Sequence, residues 1–398
     1  MTRALALTVV LTASLIGCGG GGEAEAPRVR GDTLTVYSSG PRHGASAAAG
    51  EAVFAGQRRA LAQAKGRAGG RRIRLVRLTS TRPGDTVWDP GTVEANAQRA
   101  RKDPSTIAYL GELDLGGSAV SLPVTNRAGL LQVSPTDGLT SLTRTPPGRP
   151  RAGPERYYPE GRRTFVRLVA SDLVLADALL RLLDSRGVRS VAVLHGKGIA
   201  DRELAAVLVH RLRRRGREPT FVEAFRDEED VPTTLVERLA VSRPRAILHV
   251  GAATPATRAT MAALARRLPA VPVLGSAALA VPGALGRSVP RDVEALTPIL
   301  PVAAQPPAGR RLLRSLEREL GGPVRPEALY GYESMRLVLT AVDRAGPDRR
   351  AVARAAFASP RRTVLGPLTL GPDGEVRPGR LALISLRGGN RDLDRLVP

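Results

Sequence analysis

The side chains that most often carry enzyme chemistry or bind metals are scarce in this sequence. It contains four histidines, His43, His195, His210 and His249, and one cysteine, Cys18. None of them stands in a metal-ligand spacing such as Cys-x-x-Cys or His-Glu-x-x-His. The sequence also has neither a Gly-x-Ser-x-Gly elbow nor a phosphate-binding Gly-x-x-x-x-Gly-Lys-Ser/Thr loop. We therefore predict no catalytic residue, no metal site and no cofactor.

Cys18 has a different chemistry available to it. It follows Arg3 and an apolar run from Ala4 to Ile16, which is typical of a secretory signal and too short for a permanent membrane-spanning helix. The string Leu-Ile-Gly-Cys that ends at Cys18 resembles a bacterial lipobox, in which the thiol receives a lipid before cleavage. A buried apolar cysteine is the alternative, and the surrounding glycines disfavour it. We expect residues 1–18 to be a lipoprotein signal peptide and residues 19–31 a flexible tether, with the protein exported and anchored to the outer face of the cytoplasmic membrane.

The chain is strongly basic, with a formal net charge of +23, and such a charge can indicate nucleic acid or an anionic surface as a partner. The arginines are spread among acidic residues over the whole chain, however, and aromatic residues for base stacking make up only 3%. We predict no nucleic-acid binding. The densest run lies between Arg211 and Arg217 at the end of a predicted helix, where cations complement the helix dipole in solvent. Contact with anionic lipid headgroups is the alternative.

The 398 residues are enough for more than one hydrophobic core. Short β-branched or Leu-rich runs alternate with segments of helical period, which is typical of parallel sheets covered by helices. A Pro/Gly/Arg-rich stretch at 145–163 interrupts this pattern and predicts an exposed loop or boundary. We predict an α/β fold with two doubly wound parallel-sheet lobes. Before the interruption, the predicted strands are 33–37, 72–78, 107–110 and 130–133, and the predicted helices are 45–65 and 92–102.

The same alternation restarts after the interruption. Ser171 is the expected N-cap of a helix that Gly187 closes. The predicted strands that follow are 188–195, 221–225, 246–250, 271–274 and a last strand at 381–386. The predicted helices are 201–215, 231–241, 255–268, 310–320, 327–345 and 349–358.

Several short strings also follow one another in a distinctive order. They are Ser39-Gly40-Pro41, Trp88-Asp89-Pro90, Gly111-Glu112-Leu113-Asp114, Leu122-Pro123-Val124, Val133-Ser134-Pro135-Thr136, Tyr330-Gly331-Tyr332-Glu333 and Val364-Leu365-Gly366-Pro367-Leu368. Each is a soft motif alone. Their order and spacing together resemble the type I periplasmic binding proteins, specifically the branched-chain amino acid (Leu/Ile/Val-type) solute-binding proteins of ABC transporters. The resemblance covers the chain from about Thr33 to Leu386.

The resemblance implies two lobes joined by three crossovers, which we expect near Arg167, Thr297 and Pro378. Ligands of open α/β sheets bind outside the carboxyl ends of the strands. Two such faces opposed across a hinge would form a cleft that closes over a solute. The implied lobe 1 comprises residues 32–166 and 298–378, and the implied lobe 2 comprises residues 167–297 and 379–398.

The resemblance also implies which residues meet the ligand, and several depart from the family pattern. The family's aromatic walls fall on Ala49 and near Ala200, and its acidic partner for a ligand ammonium falls on Ala277. The serine that usually binds a ligand carboxylate is replaced at Asp114. The residues expected at the ligand are Asp114, Leu115, Gly116, Thr136, Asp137, Gly138 and His195, with Ala253, Thr254 and Ser276 opposite them and Tyr330 or Tyr332 near the hinge.

Asp114 and Asp137 set the expected chemistry of the ligand. In a desolvated cleft they would repel a ligand carboxylate, so an ordinary aliphatic amino acid is not the expected guest. A ligand with a hydrogen-bond donor or a positive group fits better, although either aspartate could instead cap the helix that it precedes. His195 and His249 each end a predicted strand at the cleft edge, where they would bind ligand or simply lie in solvent or with internal partners.

Taken together, these features predict a non-enzymatic receptor. It would capture a small polar solute, amino-acid-like or amide-like, outside the membrane, close on it and deliver it to the permease of an ABC importer. A sensory or structural module of the same fold without a transport role is the second hypothesis, because the aromatic wall is missing. An extracellular enzyme is the third.

Overall fold

The computed structural model describes residue 29 and residues 31–85, 87–225, 233–281, 283, 285–286, 288–358, 361–387 and 390–397. The predicted signal peptide, Cys18 and most of the predicted tether lie outside these residues. The strands form two large sheets and one small sheet. Each large sheet with its helices is one lobe, and the lobe that contains the N-terminal strand is called the first.

The bounds of the elements are as follows. The strands are β1 (Thr33–Gly40), β2 (Arg67–Ala68), β3 (Arg71–Thr79), β4 (Thr106–Leu110), β5 (Leu131–Ser134), β6 (Phe165–Arg167), β7 (Val191–His195), β8 (Phe221–Ala224), β9 (Ala246–Val250), β10 (Val273–Gly275), β11 (Val293–Thr297), β12 (Arg361–Thr363), β13 (Gly366–Leu370), β14 (Val376–Arg377), β15 (Leu381–Arg387) and β16 (Asn390–Val397). The α-helices are α1 (Ala47–Gln63), α2 (Pro90–Lys102), α3 (Ser118–Arg127), α4 (Asp172–Ser185), α5 (Ile199–Arg214), α6 (Thr233–Val241), α7 (Pro255–Arg267), α8 (Pro307–Leu320), α9 (Glu327–Ala345) and α10 (Arg349–Ala356).

The first lobe is built on a six-stranded sheet with the order β2-β3-β1-β4-β5-β6. All neighbours are parallel except β2 and β3. Helices α1, α8, α9 and α10 share one core with the sheet, and α2 and α3 lie on the other face. Glycines let α1 and α9 approach closely, since a Cβ on Gly56 would collide with the carbonyl of Ala328 and one on Gly331 with the carbonyl of Val53. A sheet covered on both faces explains why every residue of β4 and β5 is buried.

The second lobe is built on a seven-stranded sheet with the order β16-β15-β11-β10-β9-β7-β8. Strands β7 to β11 are parallel, and the last two strands add antiparallel at one edge. Helices α4 and α5 pack on one face and α6 and α7 on the other. Leucines dominate the buried face of α4, as the predicted helical period required. The result is the predicted α/β architecture of two doubly wound lobes.

The chain passes between the two sheets three times. It leaves the first sheet after Arg167, returns after Thr297, and enters the second sheet again between Arg377 and Leu381. The small antiparallel sheet β12-β13-β14 precedes the last passage, and its apolar residues join the first core. The first two passages begin at the carboxyl ends of parallel strands, β6 in the first sheet and β11 in the second. The carboxyl ends of both parallel sheets therefore face a common space.

Several sequence expectations are corrected by the structure. The stretch 145–163 is not simply exposed, because it forms short 3-10 turns and buries Tyr157 and Tyr158, which are 4% and 5% exposed, in an apolar cluster. Ser171 occupies the N-cap position of α4, but its hydroxyl makes no capping hydrogen bond. The helix α3 was not predicted, and neither were β6, β11 or the final strand β16. The strand predicted to be the last, 381–386, is therefore the penultimate one.

Candidate functional site

A cavity of about 260 Å³ lies between the carboxyl ends of the two sheets. Loops of the first lobe reach it after β1, β3, β4 and β5, and loops of the second lobe reach it after β7, β9 and β10. Pro298 and Ile299, where the chain passes between the sheets, lie at its edge. Its volume suits a small molecule, at the lower end of ordinary ligand pockets.

On the first-lobe side, Asp114 and Thr136 present polar atoms to the cavity. The Ser80 hydroxyl donates to Asp114 Oδ2 over 3.4 Å. Burial raises the pKa of Asp114 to about 6, while hydrogen bonds from Ser46 and Ser80 oppose the shift. The Thr136 hydroxyl donates to the carbonyl of Leu113 over 2.5 Å, so its oxygen remains an acceptor. This wall therefore favours a guest that donates hydrogen bonds.

Asp137 does not line the cavity. It is wholly buried, and its carboxylate accepts backbone N–H bonds from Gly116 and Ser118, each 3.0 Å long, and from Leu139 at 3.1 Å. Burial raises the pKa of Asp137, against the lowering effect of these three donors. The helix whose first turn it holds is α3, which comes before it in the chain rather than after it. Asp137 thus fixes the loop that carries Asp114.

On the second-lobe side the wall is made of small residues. Ala253, Thr254 and Ser276 line the cavity, with Ala277 and Ala278 beside them. The Thr254 side chain caps α7 by accepting from the N–H of Thr257 over 3.3 Å. The Ser276 hydroxyl donates to the carbonyl of Gly251 over 3.4 Å. The hydroxyl of Thr254 keeps its proton available to a guest.

Leu115 and Gly116 follow Asp114 at the boundary between the lobes. Leu115 lines the cavity and is 37% exposed. Gly116 has φ +86°, and a Cβ there would collide with Ile199 of α5, so the two lobes touch at this point. Gly138 similarly faces Asp172, whose Oδ1 lies 2.7 Å from the position of a Cβ. Neither glycine is among the residues that line the cavity.

The remaining predicted residues lie elsewhere. His195 ends β7 with its Nδ1 2.7 Å from the carbonyl of Gly196. Tyr330 donates to the carbonyl of Pro298 over 3.0 Å and accepts from the N–H of Leu300, so it fixes a passage between the lobes. Tyr332 donates to Gln63 Oε1 over 2.6 Å, between α9 and α1 and away from the cavity. Of the two tyrosines named as alternatives near the hinge, Tyr330 is the one that lies there, because the side of α9 that carries Tyr332 packs on α1.

His249 does not lie at the cleft edge as expected. It precedes the last residue of β9, is 0% exposed, and stacks on Phe225 with ring centroids 5.0 Å apart. Burial lowers the pKa of His249 to about 4, so the ring is neutral near pH 7. It is a core residue of the second lobe.

Sequence reasoning missed several groups at the cavity, and two of them are acids that begin helices. Asp172, the first residue of α4, is 8% exposed; burial, with the nearby charges of Asp137 and Glu203, raises its pKa to about 7. Glu327 begins α9 and its Oε1 accepts two bonds from the Arg325 guanidinium, at 2.5 and 3.2 Å. Both acids lie far in sequence from Asp114, and only the three passages of the chain bring them together. An acid in the first turn of a predicted helix was the available signal.

Membrane-spanning helices and metal-binding clusters are both absent from the described residues. No helix among them is both long and apolar enough to cross a membrane. Within the same residues, no group of three or more His, Cys, Asp or Glu side chains is arranged to hold a metal ion.

Comparisons with known proteins agree with this geometry. The profile of a family described as periplasmic binding protein matches residues 35–389. The leucine-binding protein LivK of Thermotoga maritima superposes with a TM-score of 0.75 at 18% identity, over 92% of this chain and 98% of that one. An ABC-transporter solute-binding protein from R. palustris, solved with benzoate, gives 0.73 at 17% identity over 92% and 96%. No curated protein matches the sequence.

The profile covers nearly the whole chain, and the structural likenesses show that the fold is shared. The resemblance inferred from the short strings is thereby confirmed at the level of family and fold. Proteins of this family bind solutes outside the cytoplasm and are not enzymes. The chain belongs to the periplasmic binding protein family and has its type I fold of two α/β lobes around a ligand cleft.

Proposed function

We propose that this protein is the extracytoplasmic solute-binding component of an ABC importer, and that it captures a small polar ligand, amino-acid-like or amide-like, without transforming it. The observation that carries the proposal is the cavity between the lobes, walled by loops from the carboxyl ends of both sheets. Contacts from both walls exist together only when the lobes are closed, so the ligand shifts the population towards the closed form. Delivery to a permease follows from that difference in shape.

The ligand-binding residues in this proposal are those that line the cavity. They are Asp114, Leu115 and Thr136 in the first lobe and Ala253, Thr254 and Ser276 in the second. Gly116, Asp137 and Gly138 support the loops that carry them, and Tyr330 fixes a passage between the lobes. The lobe boundaries that we propose are 32–166 with 298–378, and 167–297 with 379–398.

Mass spectrometry of small molecules that co-purify with the protein tests capture. We expect a bound molecule to be released on denaturation and to rebind stoichiometrically by calorimetry. A matched variant, Ala253→Trp, fills the cavity and should co-purify with none. An identical small-molecule profile from both proteins, with no rebinding to either, would contradict the proposal.

We further propose that Cys18 carries the lipid and anchors the protein to the outer face of the membrane. The lipobox-like string in the sequence supports this step. Metabolic labelling with an alkyne fatty acid should mark the wild type and leave Cys18→Ser unlabelled. Equal membrane retention of both forms would contradict the anchor.

The second candidate is a sensory or structural module, which the alanines in place of the family's aromatic walls favour. Ala49 and Ala200, which stand where the resemblance implies aromatic walls, both line the cavity. Co-purification with a permease complex from membranes separates the candidates. Ligand-dependent capture of a permease supports import, and ligand binding without any such capture supports the module.

A further inference from the structure

The walls of the cavity carry an unequal number of charges. Among the described residues that line it, the acids are Asp114, Asp172, Asp201 and Glu327, and the only cation is Arg325. Asp114 and Glu327 come from the first lobe, whereas Asp172 and Asp201 come from helices of the second. Acidic groups therefore line the enclosed volume on both sides.

Arg325 does not offset this excess towards a guest. Its guanidinium forms a fork to Glu327 Oε1 through Nε and Nη2, at 3.2 and 2.5 Å. This ion pair joins Arg325 to Glu327, an acid of the same wall. An incoming carboxylate would have to compete with Glu327 for it while facing the other three acids.

Glu327 supplies an independent sign that a donor is expected at the cavity. The residue lines the cavity and is 7% exposed, and its Oε2 is buried with no hydrogen-bond partner among the described residues. A buried carboxylate oxygen without a partner is costly, and native structures seldom leave one without a reason. A ligand ammonium or amide N–H would satisfy it once the Glu327 side chain turns this oxygen towards the guest.

Trp88 adds an aromatic side chain to the lining of the cavity. It is the chain's single tryptophan, it is half-buried, and it lines the cavity beside Val87. The face of an indole ring attracts cations, and the attraction increases when the cation is desolvated. The apolar part of the lining is otherwise aliphatic and includes Leu113, Ile199 and Val250.

The acids in the first turns of helices also have a simpler explanation, which involves no ligand. Asp172, Asp201 and Glu327 all lie in first helical turns, where the helix dipole stabilises a carboxylate without any ligand. That explanation accounts for their positions. It does not account for the unpartnered Oε2 of Glu327, nor for Asp114, which lies in a loop.

We infer that the cavity selects small cations with an aliphatic body and no carboxylate, such as alkylamines and amino-acid amides. This inference rests on the proposed solute-binding function and names its ligand class. The ammonium lies among the acids of both lobes, and the aliphatic body lies against the second-lobe alanines. A carboxylate is rejected by the same acids.

Trp88 fluorescence provides the test, because no other tryptophan contributes to the signal. Isopentylamine, leucinamide, isocaproamide, isocaproate and leucine share a branched body and differ in charge. We expect the two amines to bind about tenfold more tightly than neutral isocaproamide and isocaproate to bind most weakly. Benzoate and leucine serve as probes of solute binding in general.

Two variants make the test specific to charge. Glu327→Gln and Asp114→Asn should each weaken isopentylamine binding by about tenfold and strengthen isocaproate binding. Glu94→Gln, on the exposed face of α2, is the matched control and should change neither. A general loss of fold would weaken every ligand alike, so opposite changes for amine and acid are the signature.

Different results would contradict the cation preference and the proposed solute-binding function. Isocaproate, leucine or benzoate binding as tightly as isopentylamine would overturn the cation preference and leave solute binding intact. Absence of binding by every probe, with no co-purified molecule, would overturn both.

Discussion

The two walls of the cavity are built in different ways. The first-lobe wall holds its polar groups with internal bonds, since Asp137 fixes the loop of Asp114 and Thr136 is tied to the carbonyl of Leu113. The second-lobe wall carries alanines after β9 and β10, with Thr254 and Ser276 beside them. The difference suggests a division of work. The first wall offers polar groups that internal bonds hold in place, and the second adds Asp172 and Asp201 to small side chains that set the shape closing over the guest.

The largest effect should come from filling the second wall. Ala253→Trp places a ring in the space that a guest would occupy, so we expect ligand affinity to fall by about a hundredfold or more. Ala253 is only partly buried, so the free energy of unfolding should change little. Val241→Trp, at a position 79% exposed and remote from the cavity, is the control. Calorimetry and urea unfolding of both variants measure the two quantities, and retained affinity in Ala253→Trp would remove the second wall from the site.

The next largest effect should come from removing the Asp137 carboxylate, which supports the first-lobe wall. Asp137→Ala leaves three backbone N–H groups without their acceptor, and we expect the free energy of unfolding to fall by about 3 kcal/mol. Glu94→Ala removes an exposed acid and should change it by less than about 0.5 kcal/mol. Urea denaturation compares them. Equal stability of the two variants would mean that the loop of Asp114 is held by other contacts.

The raised pKa of Asp172 predicts how the free energy of unfolding depends on pH. Its pKa is raised to about 7 in the folded protein, mainly by burial and by Asp137 and Glu203, while Arg167 opposes the shift. An acid with a raised pKa binds protons more tightly when folded, so its contribution to stability is present at low pH and is lost as pH rises from about 4 to about 7. Asp172→Asn should therefore gain stability relative to the wild type between about pH 5 and about pH 8, on the order of 2 kcal/mol.

Measurement of urea unfolding at several pH values checks this expectation. The quantity of interest is the difference between wild type and Asp172→Asn at each pH, because groups remote from Asp172 titrate equally in both. A difference that does not vary with pH would show that Asp172 is solvated like an ordinary aspartate.

The neutral hydroxyl of Thr136 is also expected to contribute to ligand affinity. Thr136→Val keeps the shape but removes the oxygen that accepts from a guest, and we expect affinity for isopentylamine to fall by about tenfold. Thr136→Ser retains the hydroxyl and is the matched control. Calorimetry with both variants decides, and an unchanged affinity in Thr136→Val would take this oxygen out of the site.

The smallest effect is expected at the cap of α7. Thr254→Ala removes the acceptor of the Thr257 N–H and should lower the free energy of unfolding by about 1 kcal/mol. Thr254→Ser should restore most of it. Thermal denaturation of both variants measures the loss, and a full loss in the serine variant would indicate that the methyl group, rather than the oxygen, is important.

The sequence predicted most of the parallel strands and helices because their apolar periods are strong. It missed α3, since Pro123 lies inside that helix and its polar residues give no clear period. The helix exists because Asp137 holds its first turn and α2 packs against it, and neither contact is local. The final strand β16 was missed because it is an antiparallel edge strand, specified by its pairing with β15.

The site was predictable only in part for the same reason. The resemblance to the family indicated the loops after β4, β5, β9 and β10 as ligand loops, and the expectations for Asp114 and Thr136 followed from it. Asp172 and Glu327 could not, because they reach the cavity through the passages between sheets. Asp137 was placed in the right loop, but its carboxylate points to three backbone N–H groups that no local pattern indicates.

Small-angle X-ray scattering with and without saturating leucinamide tests most directly whether the two walls close over a guest. We expect the radius of gyration of the wild type to decrease on addition of the ligand and that of Ala253→Trp to remain unchanged. The same decrease in both proteins, or a ligand that binds stoichiometrically to the wild type and leaves its radius of gyration unchanged, would contradict closure around this cavity.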